Sequence, residues 1–262
     1  MAFLPDGRIL VTERAGRLRV VRNGVLEPAP VAGVPPVAAQ GLAGLMDLAL
    51  HPRFAENSLV YFTYHKPSAA PAPPPESGRA GGPAPAGPGT ITLARGRWDG
   101  SQLVDVRDLF SALPSGNASR IVFGRDGMIY MSIGYGDPPV GNANPESAPA
   151  QDPNNLAGKV LRLKDDGTVP PDNPFVGRSG HRPEIFTLGH RNILGLTVNP
   201  VTGDVWSVED GPNGGDEVNA LAAGKNYGWP LLSFGRFYLG PRVSMVCIPK
   251  TGSVRSIRAT SP

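Results

Sequence analysis

The segment "FGRDGMIYMSIG" (123–134) sets an Asp-Gly turn directly before a run of β-branched, aromatic and other apolar residues. Asp-Gly supplies the positive φ that a tight hairpin turn needs, and the run after it has strand composition. The same design recurs in "FLPDGRILVTER" (3–14), "HPRFAENSLVYFTY" (51–64) and "NPVTGDVWSVED" (199–210). Each joins a polar turn containing Asp, Asn or Gly to about six strand-forming residues. The turn residues Gly7, Asn57, Gly127 and Gly203 lie roughly 50 to 75 residues apart. Blades of a β-propeller repeat at about 40–50 residues and lengthen with insertions. A sandwich would carry more frequent and less regular turn signals, so the spacing predicts an all-β propeller.

The longer intervals have visible causes. "KPSAAPAPPPESGRAGGPAPAGPG" (66–89) is too poor in large apolar residues to build a core and reads as a mobile loop. It separates "LVYFTY" from "TITLARGRW", which read as two strands of one hairpin, so it is an insertion within a blade and not a domain boundary. "GDPPVGNANPESAPAQDPNN" (136–155) is a second long loop, of the kind that often carries function. Helix signals are nearly absent.

Composition agrees. Glycine (34) and proline (30) together make nearly a quarter of the 262 residues, while 40% are hydrophobic, enough for a packed core. The net charge is +3, with no basic stripe interleaved with aromatics, which argues against a nucleic-acid partner. No apolar run approaches the roughly 20 residues of a membrane span. Met1 opens directly on strand and turn, so no signal peptide is read in this chain. The single cysteine, Cys247, has no internal disulfide partner.

Two stretches carry chemistry. In "LGHRNILGLTVNP" (188–200), His190, Arg191 and Asn192 precede an alternating strand, and in a propeller such strand entrances face the central channel. The plainer alternative is a hydrogen-bonded turn with Arg191 in a surface ion pair. "SVEDGPNGGDEVN" (207–219) crowds acids and glycines onto a bent backbone. Asp210, Asn213 and Asp216 are spaced by three, which fails the alternating ligand pattern of an EF-hand. Backbone carbonyls on a kinked turn can hold a hard cation instead, and Gly211 and Pro212 offer them. The plainer alternative is that Asp and Asn only cap turns.

"GKVLRLKDDGTVPPDNPF", "TLGHRN", "EDGPNGGDEVN" and "GKNYGWP", in this order, resemble the soluble PQQ-dependent glucose/sorbosone and aldose sugar dehydrogenases. "QGLAGLMDLALHPRF" (40–54) and "SRIVFGRDGMIYMSIG" (119–134) fit the same family, and the resemblance covers residues 1 to about 243. It implies a six-bladed propeller that binds pyrroloquinoline quinone (PQQ) and Ca²⁺ at the channel mouth. It also implies oxidation of a small-molecule sugar substrate, an aldose, at its anomeric carbon to a lactone, with an electron acceptor and a periplasmic or secreted location. By resemblance, Gln40 bonds the quinone, and Arg191 and Asn192 face its reactive carbonyl edge. A fixed cation there has an independent rationale, because hydride addition puts negative charge on a quinone oxygen. Gly211 and Pro212 resemble carbonyl ligands of the cofactor's Ca²⁺, with Asp216 and Glu217 bracing the loop. Glu217 and the backbone of Tyr227 resemble ligands of a further calcium site, although Phe234 to Phe237 depart from the family pattern.

Two departures set further expectations. The resemblance places a general-base histidine four residues before Arg120, and that slot holds Gly116. Asn117 and Ser119 are too weakly basic to replace it. His51 and His190 read as structural. The four repeats account for about four blades, so residues 1–243 read as a partial propeller and 244–262 as an aberrant or disordered tail. A truncated or frameshifted gene is the expected explanation, and the expectation extends to a fragment that is inactive by itself. Two alternatives remain at this stage: a sugar- or partner-binding propeller that has lost its base, and a calcium-dependent lactonase-like hydrolase.

Overall fold

The computed structural model describes residues 1–67, 89–112, 118–135, 147–238, 240, 242–243 and the backbone of 256–257. Its strands form four antiparallel sheets, each a meander in chain order. The first sheet holds β1 (Ala2–Phe3), β2 (Ile9–Glu13), β3 (Arg17–Arg22) and β4 (Val25–Leu26). The second holds β5 (Leu45–Leu50), β6 (Leu59–Pro67), β7 (Gly89–Trp98) and β8 (Leu103–Ala112). The third holds β9 (Ile121–Phe123), β10 (Ile129–Ile133), β11 (Lys159–Leu163) and β12 (Ile185–Leu188). The fourth holds β13 (Ile193–Val198), β14 (Val205–Glu209), β15 (Glu217–Ala220) and β16 (Ser256–Ile257). These are four propeller blades. Ser256 and Ile257, inside the stretch expected to stand apart as a tail, pair by backbone with Asn219 and Val218.

Each of the four repeated segments forms the hairpin between the first and second strands of one blade. Gly7, Gly127 and Gly203 take positive φ in three of these turns. The second blade solves the same problem differently. A single helical turn, α1 (Phe54–Asn57), ends on Ser58 at φ 55°, and the Asn57 side chain accepts the Leu59 N–H at 3.0 Å. β6 and β7 pair from Leu59↔Arg97 to Pro67↔Gly89, so the proline-rich insertion lies within one blade; residues 68–88 themselves lie outside the described residues.

Strand alternation builds the core between blades. Val60 and Phe62 pack towards the first blade while Tyr61, between them, packs towards the third. Likewise Ile129, Met131 and Ile133 face the second blade and Tyr130 faces the fourth. Every residue of β10 and β11 is buried, because these strands are covered on both faces. A polar brace ties blades two and three on the side of the first hairpins. His51 Nδ1 accepts from the Arg53 amide (3.0 Å) and the Asn57 side chain (2.8 Å). That leaves Nε2 to carry the proton towards Asp165, 3.7 Å away, whose backbone carbonyl accepts from Tyr61 Oη. Burial holds the His51 imidazole below its ordinary value.

The first strands of successive blades are neighbours: β5 touches β9, and β9 touches β13. They therefore line a common axis. The topology puts the residues leading into each first strand at the end opposite the repeated hairpins. The connection between second and third strands lies at that same end. In the fourth blade this brings 190–192, ahead of β13, beside 210–216, between β14 and β15.

Candidate active site

Where the four blades converge lies a cleft of about 330 Å³ lined by all of them or their connections. Thr12 and Arg14 come from the first blade, Leu42 from the lead into the second, Leu45 and Met46 from the start of β5, Ala118, Ser119 and Arg120 from the third, and Asn192 and Leu194 from the fourth. Asn192 is 6% exposed, yet among the described residues its side chain makes no hydrogen bond, and its Oδ1 is a buried acceptor without a partner. A buried amide in a folded protein is nearly always bonded, so this one stands out on the cleft wall. Room for it exists because residue 134 is glycine; a Cβ there would fall 2.4 Å from Asn192 Oδ1. Ser119 Oγ is a second buried, unpartnered oxygen on the cleft wall.

Arg191 does not line this cleft. It is buried behind it, donating from Nη1 to the Asp210 carbonyl (2.8 Å), with Asp210 Oδ2 at 3.1 Å and the Trp229 ring 5.5 Å beneath its guanidinium. An ion pair is present, as the plainer alternative holds, but it is buried and joins Arg191 to the residue directly before Gly211. A polar network fixes this backbone. Glu209 accepts the Arg191 amide (3.0 Å) and bonds His190 Nδ1 (2.6 Å), while His190 Nε2 meets Thr187 Oγ1 (2.8 Å). An ionised Glu209 has only acceptors, so Nδ1 carries the imidazole proton and Thr187 donates its hydroxyl to Nε2. Burial works to raise Glu209, but His190, the Arg191 amide and Asn219 outweigh it and hold the carboxyl low. His190 thus has the structural role expected of it, stacked on Tyr227 at 4.8 Å. The hydroxyl–imidazole–carboxylate row is buried throughout and offers no face to a substrate.

The glycine-rich turn folds onto itself. A Cβ at Gly211 would sit 2.2 Å from the Gly214 carbonyl, and the Gly211 amide donates to Asp216 Oδ1 at 2.9 Å, so Asp216 braces the loop. Among the described residues the Gly211 carbonyl accepts no hydrogen bond; the Pro212 carbonyl accepts one, from the Arg236 amide at 2.8 Å. Asp210 Oδ1 is buried without a partner. These open oxygens are a donor set that fits a hard cation. No three His, Cys, Asp or Glu side chains converge as a metal-holding group among the described residues.

Glu217 opens β15 opposite Glu209, and Asn219 Nδ2 bridges the two, at 2.9 Å from Glu209 and 3.2 Å from Glu217. Burial first, then the charge of Glu209, pushes the Glu217 carboxyl up to about 7. Tyr227 Oη donates to the Ala220 carbonyl (2.6 Å) and accepts the Ala222 amide (2.9 Å). Glu217 and Tyr227 therefore sit on the same network around His190. Gln40 is exposed in the lead into β5; the neighbouring Gly41 carbonyl accepts from Arg14, which lines the cleft. Gly116 and Asn117 lie outside the described residues.

Sequence reading passed over Glu209, Asn219, Trp229 and Lys159. Alternation along β14 could have found Glu209, since Val205, Ser207 and Glu209 share the buried face. Lys159 had no such signal. Its buried Nζ donates to the Pro149, Ala150 and Ala157 carbonyls at 2.8, 3.0 and 2.9 Å, and burial pushes it down to about 7. The loop it anchors reaches the site, because Gln151 Nε2 donates to the Trp229 carbonyl at 2.6 Å.

Comparison with known proteins places this arrangement in context. The family model described as glucose / sorbosone dehydrogenase matches residues 1–255. An Escherichia coli protein named aldose sugar dehydrogenase YliI is 38% identical over 249 residues, covering 93% of this chain and 61% of its own length. Quinoprotein glucose dehydrogenase B of Acinetobacter calcoaceticus is 34% identical over 250 residues, covering 86% of this chain and 48% of its own. The PQQ-bound aldose sugar dehydrogenase of Streptomyces coelicolor superposes with a TM-score of 0.68 at 29% identity, over 88% of this chain and 61% of that one. The chain thus spans about half to three-fifths of the length of these relatives. Among the described residues no helix is long and apolar enough to cross a membrane.

Proposed function

Because the chain belongs to the glucose/sorbosone dehydrogenase family, we propose that it serves the PQQ- and Ca²⁺-dependent oxidation of an aldose at its anomeric carbon to the lactone. The observation that carries this reading is the buried, unbonded Asn192 amide in the channel cleft, one residue from an arginine tied to the Asp210–Gly211 turn. When bound, PQQ supplies the two-electron acceptor and Ca²⁺ a Lewis acid. Asn192 would orient the cofactor through its free amide, with Gln40 reaching it from the lead into the second blade. Arg191 would hold a fixed positive charge near it, kept in one rotamer by Asp210 and Trp229. Such a charge needs no reorganisation when the reaction begins. Gly211 would offer its free carbonyl to Ca²⁺, and Pro212 the remaining lone pair of its own. Glu217 and the Tyr227 backbone would serve the further calcium; a cation there would favour the ionised form of a carboxyl that burial pushes up. A periplasmic or secreted location and a separate electron acceptor belong to the same proposal.

The test is a titration of the protein with PQQ, with and without Ca²⁺, followed by dye reduction with aldoses. The expected result is saturable, Ca²⁺-dependent PQQ binding that weakens on chelation. No spectral change on adding PQQ contradicts the reading.

A second reading is favoured by one observation: the described lining of the cleft contains no His, Asp or Glu. Nothing there takes a proton from a sugar hydroxyl near neutral pH. The protein would then bind a sugar without oxidising it. Gly116→His separates the two, because a large gain in sugar oxidation identifies a vacated base position.

A further inference from the structure

We propose that Lys159 is a positioning residue for the channel site: its buried amine clips the connection 147–158 against the strand entrance that carries Arg191 and Asn192. The inference rests on the proposed function only in taking that entrance as the ligand-binding end. Lys159 opens β11 and is fully buried. Burial works against its charge, and Asp152, on the same connection, offsets only part of that. An apolar side chain would fill the place without the cost. What the amine adds is three hydrogen bonds, to the Pro149, Ala150 and Ala157 carbonyls at 2.8, 3.0 and 2.9 Å. An ammonium has three donors and no acceptor, so this set uses all of it. All three acceptors lie on one connection, which therefore closes on itself around the amine.

The clipped connection meets two segments of the site. The first is the strand entrance. The Ala150 carbonyl, besides bonding Lys159, accepts the Gly189 amide (2.9 Å), and the Gly158 carbonyl accepts the His190 amide (3.1 Å). A Cβ at Gly158 would fall 2.5 Å from the His190 carbonyl and 2.6 Å from the Ala150 Cβ, so only a glycine lets the two backbones touch here. The second segment is the turn around Trp229. Gln151 Nε2 donates to the Trp229 carbonyl (2.6 Å), and Gln151 and Asn226 exchange side-chain hydrogen bonds at 2.6 and 3.2 Å. Trp229 gives its own amide to the Gly189 carbonyl (2.8 Å), and its ring lies 5.5 Å beneath the Arg191 guanidinium. Arg191 is thus held between two segments, and Lys159 fixes the connection that joins both; Asn192 follows on the same backbone. Releasing the clip should loosen Arg191, while a cavity elsewhere in β11 should not.

The experiment compares wild type with Lys159→Met, which keeps an unbranched stem and removes the donors, with Gln151→Ala, which cuts the tie to Trp229, and with both together. Leu161→Ala, on the same strand, is the control for lost packing alone. The first readout needs no ligand. Because the guanidinium sits over the Trp229 ring, the Arg191 Nε–H resonance, identified by its loss in Arg191→Lys, reports their separation. It should shift in Lys159→Met and Gln151→Ala and stay in place in Leu161→Ala. The second readout is PQQ affinity with Ca²⁺, expected to fall about tenfold in either variant and no further in the double one, because both cut one path. Lys159→Gln, which keeps an amide donor, should recover part of both effects. A moved Arg191 signal in a protein that binds no PQQ supports the positioning role and contradicts the quinone reading. An Arg191 signal that stays at its wild-type place in Lys159→Met overturns the proposal, as does an equal shift in Leu161→Ala or a PQQ loss that multiplies in the double variant. Should Lys159→Met fail to fold, Lys159→Gln and Gln151→Ala carry the same comparison, and unmoved signals in both overturn it.

Discussion

The interface between the second and third blades and the channel end of the fourth are equally buried but differently made. The first is filled by Ile91, Leu93, Met131 and Leu161, with its few polar groups paired, as in the His51 brace. The second is a network of Glu209, His190, Asn219 and Arg191 that leaves Asn192 Oδ1, Asp210 Oδ1 and Asn219 Oδ1 without partners. Burying a polar group unbonded costs about 1–3 kcal/mol. The apolar interface stabilises the protein; the polar end spends stability on open valences, which is what a ligand site requires.

Substitutions should separate the two regions. The largest effect on stability is expected from Leu161→Ala, fully buried between blades. It should cost about 2–5 kcal/mol in chemical denaturation, with little change in the ligand affinity of the protein that remains folded. Next comes Glu209→Ala, which leaves His190 and the Arg191 amide facing a void. Each buried donor left unbonded costs about 1–3 kcal/mol, and here PQQ binding should fall as well. Glu209→Gln keeps the shape and should recover most of the stability.

A smaller effect concerns pH. The His51 imidazole is held below its ordinary 6.5 in the folded state, so the unfolded chain takes up a proton first as pH falls. The brace's contribution is therefore full above pH 6.5 and is lost as pH drops through the lower folded value. His51→Gln should flatten the melting temperature against pH across that window. An unchanged slope would mean that the brace does not titrate. The smallest stability change is expected for Asn192→Leu, within about 0.5 kcal/mol of wild type, because no hydrogen bond is lost.

The fold was legible because turns and strands repeat. Asp126-Gly127 and Thr202-Gly203 announce hairpins locally, and the alternation of Tyr61 between Val60 and Phe62 needs only a strand to place its faces. The second blade's Ser58 turn was less visible, since a one-turn helix replaces the glycine. The site was legible in its turn chemistry, where Gly211 and Asp216 act within six residues of one another. The burial of Arg191 was not. Its partners, Asp210, Trp229 and Glu209, come from separate connections whose convergence is set by blade packing. Lys159 was hidden for the same reason: its three acceptors lie on a loop whose path no local pattern dictates.

The most direct measurement is PQQ binding with Ca²⁺ present by wild type and by Asn192→Leu, with melting temperatures recorded alongside. The account predicts tight binding by wild type and at least a tenfold loss in the variant, at an unchanged melting temperature. Equal affinity in the two proteins would contradict it.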